Sequence, residues 1–217
     1  GDGYALSSLI HRAHEVDFIA PRPEVLRQNR SLWALQVRGA NVEQTLTADD
    51  AKHASHALTD ETLTLTWRGV GSEAVPGDLT VTVTVRLPKD SAKAYWRAKV
   101  SGSVQGWLWQ MDFPRVFGIR DFPDCQMSLP HYWGRLVRSP MQLGRKASLV
   151  YPEPASMQWF SFWGVEEKRH PPLAVEEGYN PESGWSPDYG DACGLYWAAE
   201  DGNLHFKRFG WDPTLSG

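Results

Sequence analysis

The segment Leu129–Leu136 brings hydrogen-bonding and aromatic side chains close together in the chain. His131 can donate or accept a hydrogen bond, Arg135 can fork to two hydroxyls, and Trp133 beside Tyr132 can form a flat apolar platform. A sugar ring complements both kinds of group, because its C–H face stacks on aromatic rings and its hydroxyls need charged or amide partners. The segment therefore predicts a carbohydrate-binding site. A tryptophan facing the core and a structurally satisfied histidine fit the same residues.

Gln158 is a candidate for a second polar contact with the sugar, and a strand amide bonded to the backbone is the alternative. Catalytic residues are not assigned, because no spacing selects the two carboxylates that glycoside hydrolysis needs. The chain also lacks the nucleophile elbow, the phosphate loop, the dinucleotide fingerprint and the His-Glu-x-x-His zinc motif. We expect neither a cofactor nor a metal site.

The composition is typical of a globular protein and argues against a nucleic-acid-binding protein. The chain has 217 residues, of which 41% are hydrophobic and 22% are charged, and this is enough to bury a sizeable core. The net charge of −4 argues against nucleic acid as a partner. No apolar run approaches the length of a membrane span. The 11 tryptophans fit a sandwich core or carbohydrate recognition, and composition alone does not choose between them.

Two-residue alternation governs the first half of the chain. Thr62–Trp67 and Leu79–Leu87 alternate strictly, with threonine on the wetter face, and Gly69–Gly77 joins them as a hairpin loop. Tyr95–Ser101 and Gly106–Met111 add two more strands. Helical periodicity is nearly absent, so we predict an antiparallel meander.

The second half contains two long segments that do not read as single strands. The stretch 111–156, rich in aromatic residues and proline, predicts a long ordered excursion between strands, which either holds a ligand or closes the end of a sandwich. Residues 166–191 predict a polar surface loop. Gly194–Ala199 and Leu204–Phe209 flank a turn signal and are expected to form a hairpin.

Two further expectations concern the pairing of the cysteines and the boundaries of the domain. Cys125 and Cys193 either pair or stay as buried free thiols, and burial without pairing is the more common state. The chain starts at Gly1-Asp2-Gly3, which is typical of a turn, and stops at Gly217 without a closing element. We therefore expect one domain over residues 1–217 that is incomplete at one or both ends. The compartment is left open.

Several short segments together carry a family resemblance. They are Gly3–Leu9, Ser31–Leu35, Leu63–Trp67, Tyr95–Arg97, Trp109–Ile119, Tyr151-Pro152, Ser156–Gln158, Gly194–Asp201 and Lys207–Phe209. The chain resembles the N-terminal β-supersandwich of large multidomain glycoside hydrolases, which has the galactose-mutarotase-like fold. The resemblance implies an all-β, antiparallel two-sheet supersandwich that packs on a catalytic (β/α) barrel of the same polypeptide.

The implied function is that of a non-catalytic, carbohydrate-associated domain, which contributes loop residues to a site for an oligosaccharide or polysaccharide. Two alternatives stay open. One is a stand-alone enzyme of the aldose-epimerase type, with His131 as the acid and a carboxylate of the 166–191 loop as the base. The other is a carbohydrate-binding module that uses Trp133 and its neighbours.

Overall fold

The computed structural model of the chain describes residues 4–12, 15–20, 30–39, 41–91, 93–122, 125–129, 135–144, 146–151, 159–165, 192–199 and 207–213. Within these ranges the regular elements are β-strands and two single 3-10 turns, Ala48–Asp50 and Pro140–Gln142. All strand pairings are antiparallel. The predicted all-β class is therefore confirmed.

The strands are β1 (Ile10–His11), β2 (Val16–Asp17), β3 (Ala34–Arg38), β4 (Glu43–Thr47), β5 (His53–Leu58), β6 (Thr62–Val70), β7 (Gly77–Arg86), β8 (Tyr95–Val104), β9 (Trp107–Asp112), β10 (Gln126–Leu129), β11 (Arg135–Arg138), β12 (Ala147–Tyr151), β13 (Trp159–Val165), β14 (Ala192–Ala198) and β15 (Lys207–Trp211).

The chain divides into two compact units. Unit 1 comprises Gly1–Ser7 and Leu26–Val116, and unit 2 comprises Ser8–Val25 and Phe117–Gly217. The expectation of one domain over residues 1–217 stays a prediction.

Unit 1 contains a four-stranded and a three-stranded sheet around one core. The four-stranded sheet has the order β5-β6-β7-β8, and the three-stranded sheet has the order β4-β3-β9. The strict alternation of β6 and β7 turns their leucine and valine side chains inward, because successive side chains of a strand point to opposite faces. These meet the inward side chains of β3 and β4 in a single hydrophobic cluster, so unit 1 is sandwich-like.

Two tryptophans lie at the centre of that cluster. Trp33 and Trp67 are fully buried, and their rings meet edge to face with centroids 5.6 Å apart. Edge-to-face pairs of this kind add stability beyond the apolar area that they bury. Part of the tryptophan content of the chain is thus explained by core packing.

The chain between β4 and β5 forms a 3-10 helix, Ala48–Asp50, whose first turn is capped by Thr47. Thr47 Oγ1 accepts a hydrogen bond from the Asp49 N–H, and the Asp50 carboxylate accepts one from the Thr47 N–H at 2.7 Å. This reciprocal pair satisfies backbone donors that a helix start leaves free. It reverses the chain between β4 of one sheet and β5 of the other.

Unit 2 contains a four-stranded sheet of order β11-β10-β13-β14 and the two-stranded sheets β1-β2 and β12-β15. The hairpin expected between Gly194–Ala199 and Leu204–Phe209 is wrong for the described residues. β14 pairs with β13, while β15 pairs with β12, with Phe209 opposite Leu149. A local turn signal indicates that the chain reverses, but it does not choose the neighbouring strand.

The stretch 111–156 also differs from the expected excursion, because it contains β10, β11 and β12. Proline does not prevent strands here: Pro140 begins a 3-10 turn that lies between β11 and β12 in the sequence. The polar loop 166–191 lies outside the described residues.

Cys125 in unit 2 is a buried free thiol. Burial, followed by the charge of Asp121 and a hydrogen bond to its carboxylate, raises the pKa of Cys125 to about 11. The side chain is therefore a neutral thiol at physiological pH, and it packs as a small hydrophobic group. Its free state confirms the expectation of a buried, unpaired cysteine.

Within the part of the chain that the structure describes, no helix has the length and apolarity required to cross a membrane.

Candidate functional site

The residues that the sequence singles out for sugar binding are mostly beyond the described ranges. His131, Tyr132, Trp133 and Gln158 lie outside them. Arg135 is described as the first residue of β11, where it pairs with Leu129 of β10. The site on Leu129–Leu136 therefore stays a prediction, as does the epimerase alternative that uses His131.

Two exposed indole side chains lie on β9. Trp107 and Trp109 are 56% and 57% exposed, although tryptophan is usually a buried residue. Both belong to the three-stranded sheet of unit 1, in which β9 is an edge strand whose partner, among the residues that the structure describes, is β3. Large rings on an outer sheet face contribute little to the core, so their position suggests contact with a ligand or partner.

A β-bulge places the second ring. Leu108 pairs with Val37 and Gln110 pairs with Gln36, which leaves Trp109 as the extra residue of β9. A bulge bends the strand and redirects the side chains around it. As a result, Trp109 lies over Arg38, which pairs with Trp107. Both indoles thus lie beside the same arginine.

Arg38 is held on two sides. Its guanidinium carbon lies 4.1 Å from the ring centroid of Trp109, and its Nη2 donates to Glu43 Oε1 at 3.3 Å. Glu43 is directly opposite Arg38 in the register of β3 and β4. The ion pair and the cation–π contact together fix the plane of the guanidinium, although each is weak because both partners are partly exposed.

A row of amide and carboxylate groups follows on the same outer face. Gln36 of β3 lies between Thr45 of β4 and Gln110 of β9. Gln110 Nε2 donates to Asp112 Oδ1 at 2.5 Å, which orients both planar groups. The same carboxylate lies near Arg115, whose pKa is lowered by burial and partly restored by the charge of Asp112.

We name this outer surface of the three-stranded sheet the aromatic face: Gln36, Arg38, Glu43, Thr45, Trp107, Trp109, Gln110 and Asp112. It combines two exposed rings with planar amide, carboxylate and guanidinium groups, each of which has the capacity for two hydrogen bonds. The arrangement can bind a molecule that has both apolar and hydroxyl-bearing surfaces. The described residues form no group of three metal-binding side chains.

Sequence reasoning predicted Gly106–Met111 as a strand but did not select it as a site. The available signal was the Trp-x-Trp-Gln-x-Asp pattern, but regular alternation puts its two tryptophans on one face of a strand and its glutamine and aspartate on the other, and only the bulge brings them together. Alternation alone does not tell which face of an edge strand stays uncovered, so the signal was ambiguous until the neighbours of β9 were known.

A scan against protein-family models finds no family that matches the chain, and a search of curated proteins finds no matching relative. The function is therefore inferred from the residues of the chain itself.

Proposed function

We propose that this chain is a non-catalytic, carbohydrate-associated domain of a glycoside hydrolase, with the β-supersandwich architecture of galactose-mutarotase-like domains. The observation that carries the proposal is the aromatic face, where two exposed indoles lie beside an oriented arginine and a row of amide and carboxylate groups. The sandwich-like core of unit 1 agrees with the proposed architecture.

The ligand class follows from complementarity. A pyranose ring has an apolar C–H face that stacks on an indole, and its hydroxyls form paired hydrogen bonds with guanidinium, amide and carboxylate groups. Trp107 and Trp109 both lie beside Arg38, so they offer two neighbouring platforms. Two platforms favour an oligosaccharide or polysaccharide over a single sugar.

The implied partner is a catalytic (β/α) barrel of the same polypeptide, on which the domain packs. This part of the proposal rests on the resemblance of the short sequence segments to glycoside hydrolase N-terminal domains. Strand–helix alternation in the gene beyond Gly217 would support it, and a gene that encodes no barrel would contradict it.

The aromatic face is tested with the purified chain and a panel of soluble neutral polysaccharides, by affinity electrophoresis. At least one polysaccharide should retard the wild type, and the double variant Trp107→Ala/Trp109→Ala should weaken that binding by about tenfold or more, the loss expected when aromatic anchors are truncated. Tyr196→Ala is the matched control, because it removes an aromatic ring that is 62% exposed on a different sheet. Retardation that is equal in wild type and double variant would overturn the site.

The same assay tests the segment selected from the sequence. Trp133→Ala is expected to weaken sugar binding and to leave the unfolding temperature unchanged. Unfolding of this variant would instead assign the ring to the core. Retardation by none of the neutral polysaccharides would favour a structural scaffold, and proton exchange at the anomeric carbon of an aldose would favour the epimerase alternative.

A further inference from the structure

The outer face of the four-stranded sheet of unit 1 differs from the aromatic face. Along β6 and β7 most outward positions are threonines, because Leu65, Trp67 and Val83 face the core. On β8 the residues Trp96, Ala98 and Val100 pack against the core, which turns the intervening side chains outward. We name this surface the threonine face: Thr62, Thr64, Thr66, Arg68, Thr80, Thr82, Thr84, Arg86, Arg97, Lys99 and Ser101.

The threonine face is strongly cationic. The four strands contain four Lys or Arg residues and one acidic residue, Asp78, although the whole chain has a net charge of −4. Arg68, Arg86, Arg97 and Lys99 are all exposed. The three ion pairs among the described residues involve Arg38, Lys89 and Lys146, so the four cations belong to none of them.

The strand register arranges hydroxyls and cations in rows. Thr84 of β7 lies between Thr64 of β6 and Arg97 of β8. In the next row, Thr82 lies between Thr66 and Lys99. Neighbouring strands are about 4.8 Å apart and successive rows about 6.7 Å apart, so each row places two hydroxyls beside one cation.

We propose that the threonine face binds an acidic polysaccharide. Its carboxylate or sulfate groups pair with Arg86, Arg97 and Lys99, and its hydroxyls form hydrogen bonds with Thr82 and Thr84. That the ligand is a glycan rests on the proposed function, whereas its negative charge follows from the four cations on this face.

Two other classes of polyanion fit less well. Single-stranded nucleic acid is held by series of stacking aromatic rings, and the outward positions of β6, β7 and β8 offer only Tyr95, whose ring already carries the Arg86 guanidinium at 5.2 Å. An anionic membrane surface favours apolar side chains that enter the lipid, whereas the outward positions of β6 and β7 are polar or charged and mostly threonine. A hydroxylated, anionic glycan matches both the charge and the hydroxyl rows.

The test uses polygalacturonate and heparin as carboxylated and sulfated probes, with the purified chain on a biosensor surface. Wild type should bind at least one of them, and its affinity should fall as salt rises from about 50 to 200 mM, because exposed charges are screened. The double variant Arg97→Gln/Lys99→Gln should bind about tenfold more weakly with an unchanged circular-dichroism spectrum. Lys89→Gln/Lys146→Gln is the matched control, since it removes two cations that lie off this face in ion pairs.

Binding that is unchanged in the Arg97/Lys99 variant, or that is insensitive to salt, overturns the proposal. So does tighter binding to a single-stranded oligonucleotide or to phosphatidylserine vesicles, which would assign the face to that other class. The variant Trp107→Ala/Trp109→Ala separates this proposal from the aromatic face, because it should lose neutral polysaccharides and keep acidic ones. Loss of neutral polysaccharide binding therefore tests the aromatic face, and loss of acidic polysaccharide binding tests the threonine face.

Discussion

The two outer faces of unit 1 cover the same core and yet offer opposite chemistry. The aromatic face presents two exposed indoles and an arginine that is neutralised by Glu43. The threonine face presents hydroxyls and cations that take part in none of the ion pairs of the described residues. The inward positions of both sheets are alike, since both supply leucine and valine to one cluster.

In a sandwich-like unit, the outward residues of the sheets indicate function better than the inward ones. Inward positions are constrained by packing, so they converge on the same few apolar residues in both sheets. Outward positions affect stability little, and substitutions there usually change it by about 0.5 kcal/mol or less. An ordinary outer face carries a mixture of polar residues. A face enriched in exposed indoles, or in threonines and cations, is therefore a better indication of binding than any core residue.

Replacing Trp67 by alanine should disrupt the aromatic face and the threonine face together, because both sheets pack on the core that this ring fills. The ring is fully buried and lies edge to face against Trp33. Truncation of a buried aromatic residue costs about 3–5 kcal/mol of the free energy of unfolding. Urea denaturation should show this loss, and binding to neutral and acidic polysaccharides should fall together.

Trp107→Ala is the control for the Trp67 variant, because it removes an indole of the same size from the outer surface and should change the free energy of unfolding by about 0.5 kcal/mol or less. If Trp67→Ala left unfolding unchanged, the shared core described for unit 1 would be wrong.

Substitution of one of two glycines should distort the threonine face or the aromatic face separately. Gly102 in β8 has φ +99° and Gly106 before β9 has φ +126°, and a Cβ at either would meet a backbone carbonyl, that of Asp78 or that of Arg38. Each Gly→Ala change should therefore destabilise unit 1 by about 1–3 kcal/mol. Gly102→Ala should mainly weaken binding to acidic polysaccharides, and Gly106→Ala should mainly weaken binding to neutral ones.

Gly210→Ala provides the reference for this pair, since a Cβ there meets nothing within 4 Å. Thermal unfolding and the two binding assays are compared for all three variants. Equal loss of both activities in Gly102→Ala and Gly106→Ala would show that the faces are not independent.

Much of unit 1 could be predicted from the sequence, because its signals are local. The alternation of Thr62–Trp67 and Leu79–Leu87 predicted two half-buried neighbouring strands, and β6 and β7 confirm them. Period-two alternation is strong evidence when one face is buried, since a slip of one residue would expose every apolar side chain. The predicted hairpin loop Gly69–Gly77 also matches the connection between these strands.

The rest depended on contacts between distant residues. The sequence could not show that Lys207–Trp211 pairs with Ala147–Tyr151, which lies far away in the chain. It also could not separate buried Trp33 and Trp67 from exposed Trp107 and Trp109, because all four occur in strand-like patterns. Exposure at β9 depends on the edge position of that strand, which is a property of the sheet and not of the segment.

Arg38→Gln removes the cation from the aromatic face and breaks both the contact with Trp109 and the ion pair with Glu43. Because both contacts are partly exposed, the free energy of unfolding should fall by less than about 1 kcal/mol. Neutral polysaccharides should bind a few-fold more weakly, since the guanidinium that holds Trp109 and donates to sugar hydroxyls is lost, and the tryptophan fluorescence should change. Arg97→Gln is the control, because it removes an arginine from the threonine face and should leave the binding of neutral polysaccharides intact. Equal losses of this binding in the two variants would mean that it depends on the charge of the protein and not on the arginine stacked on Trp109.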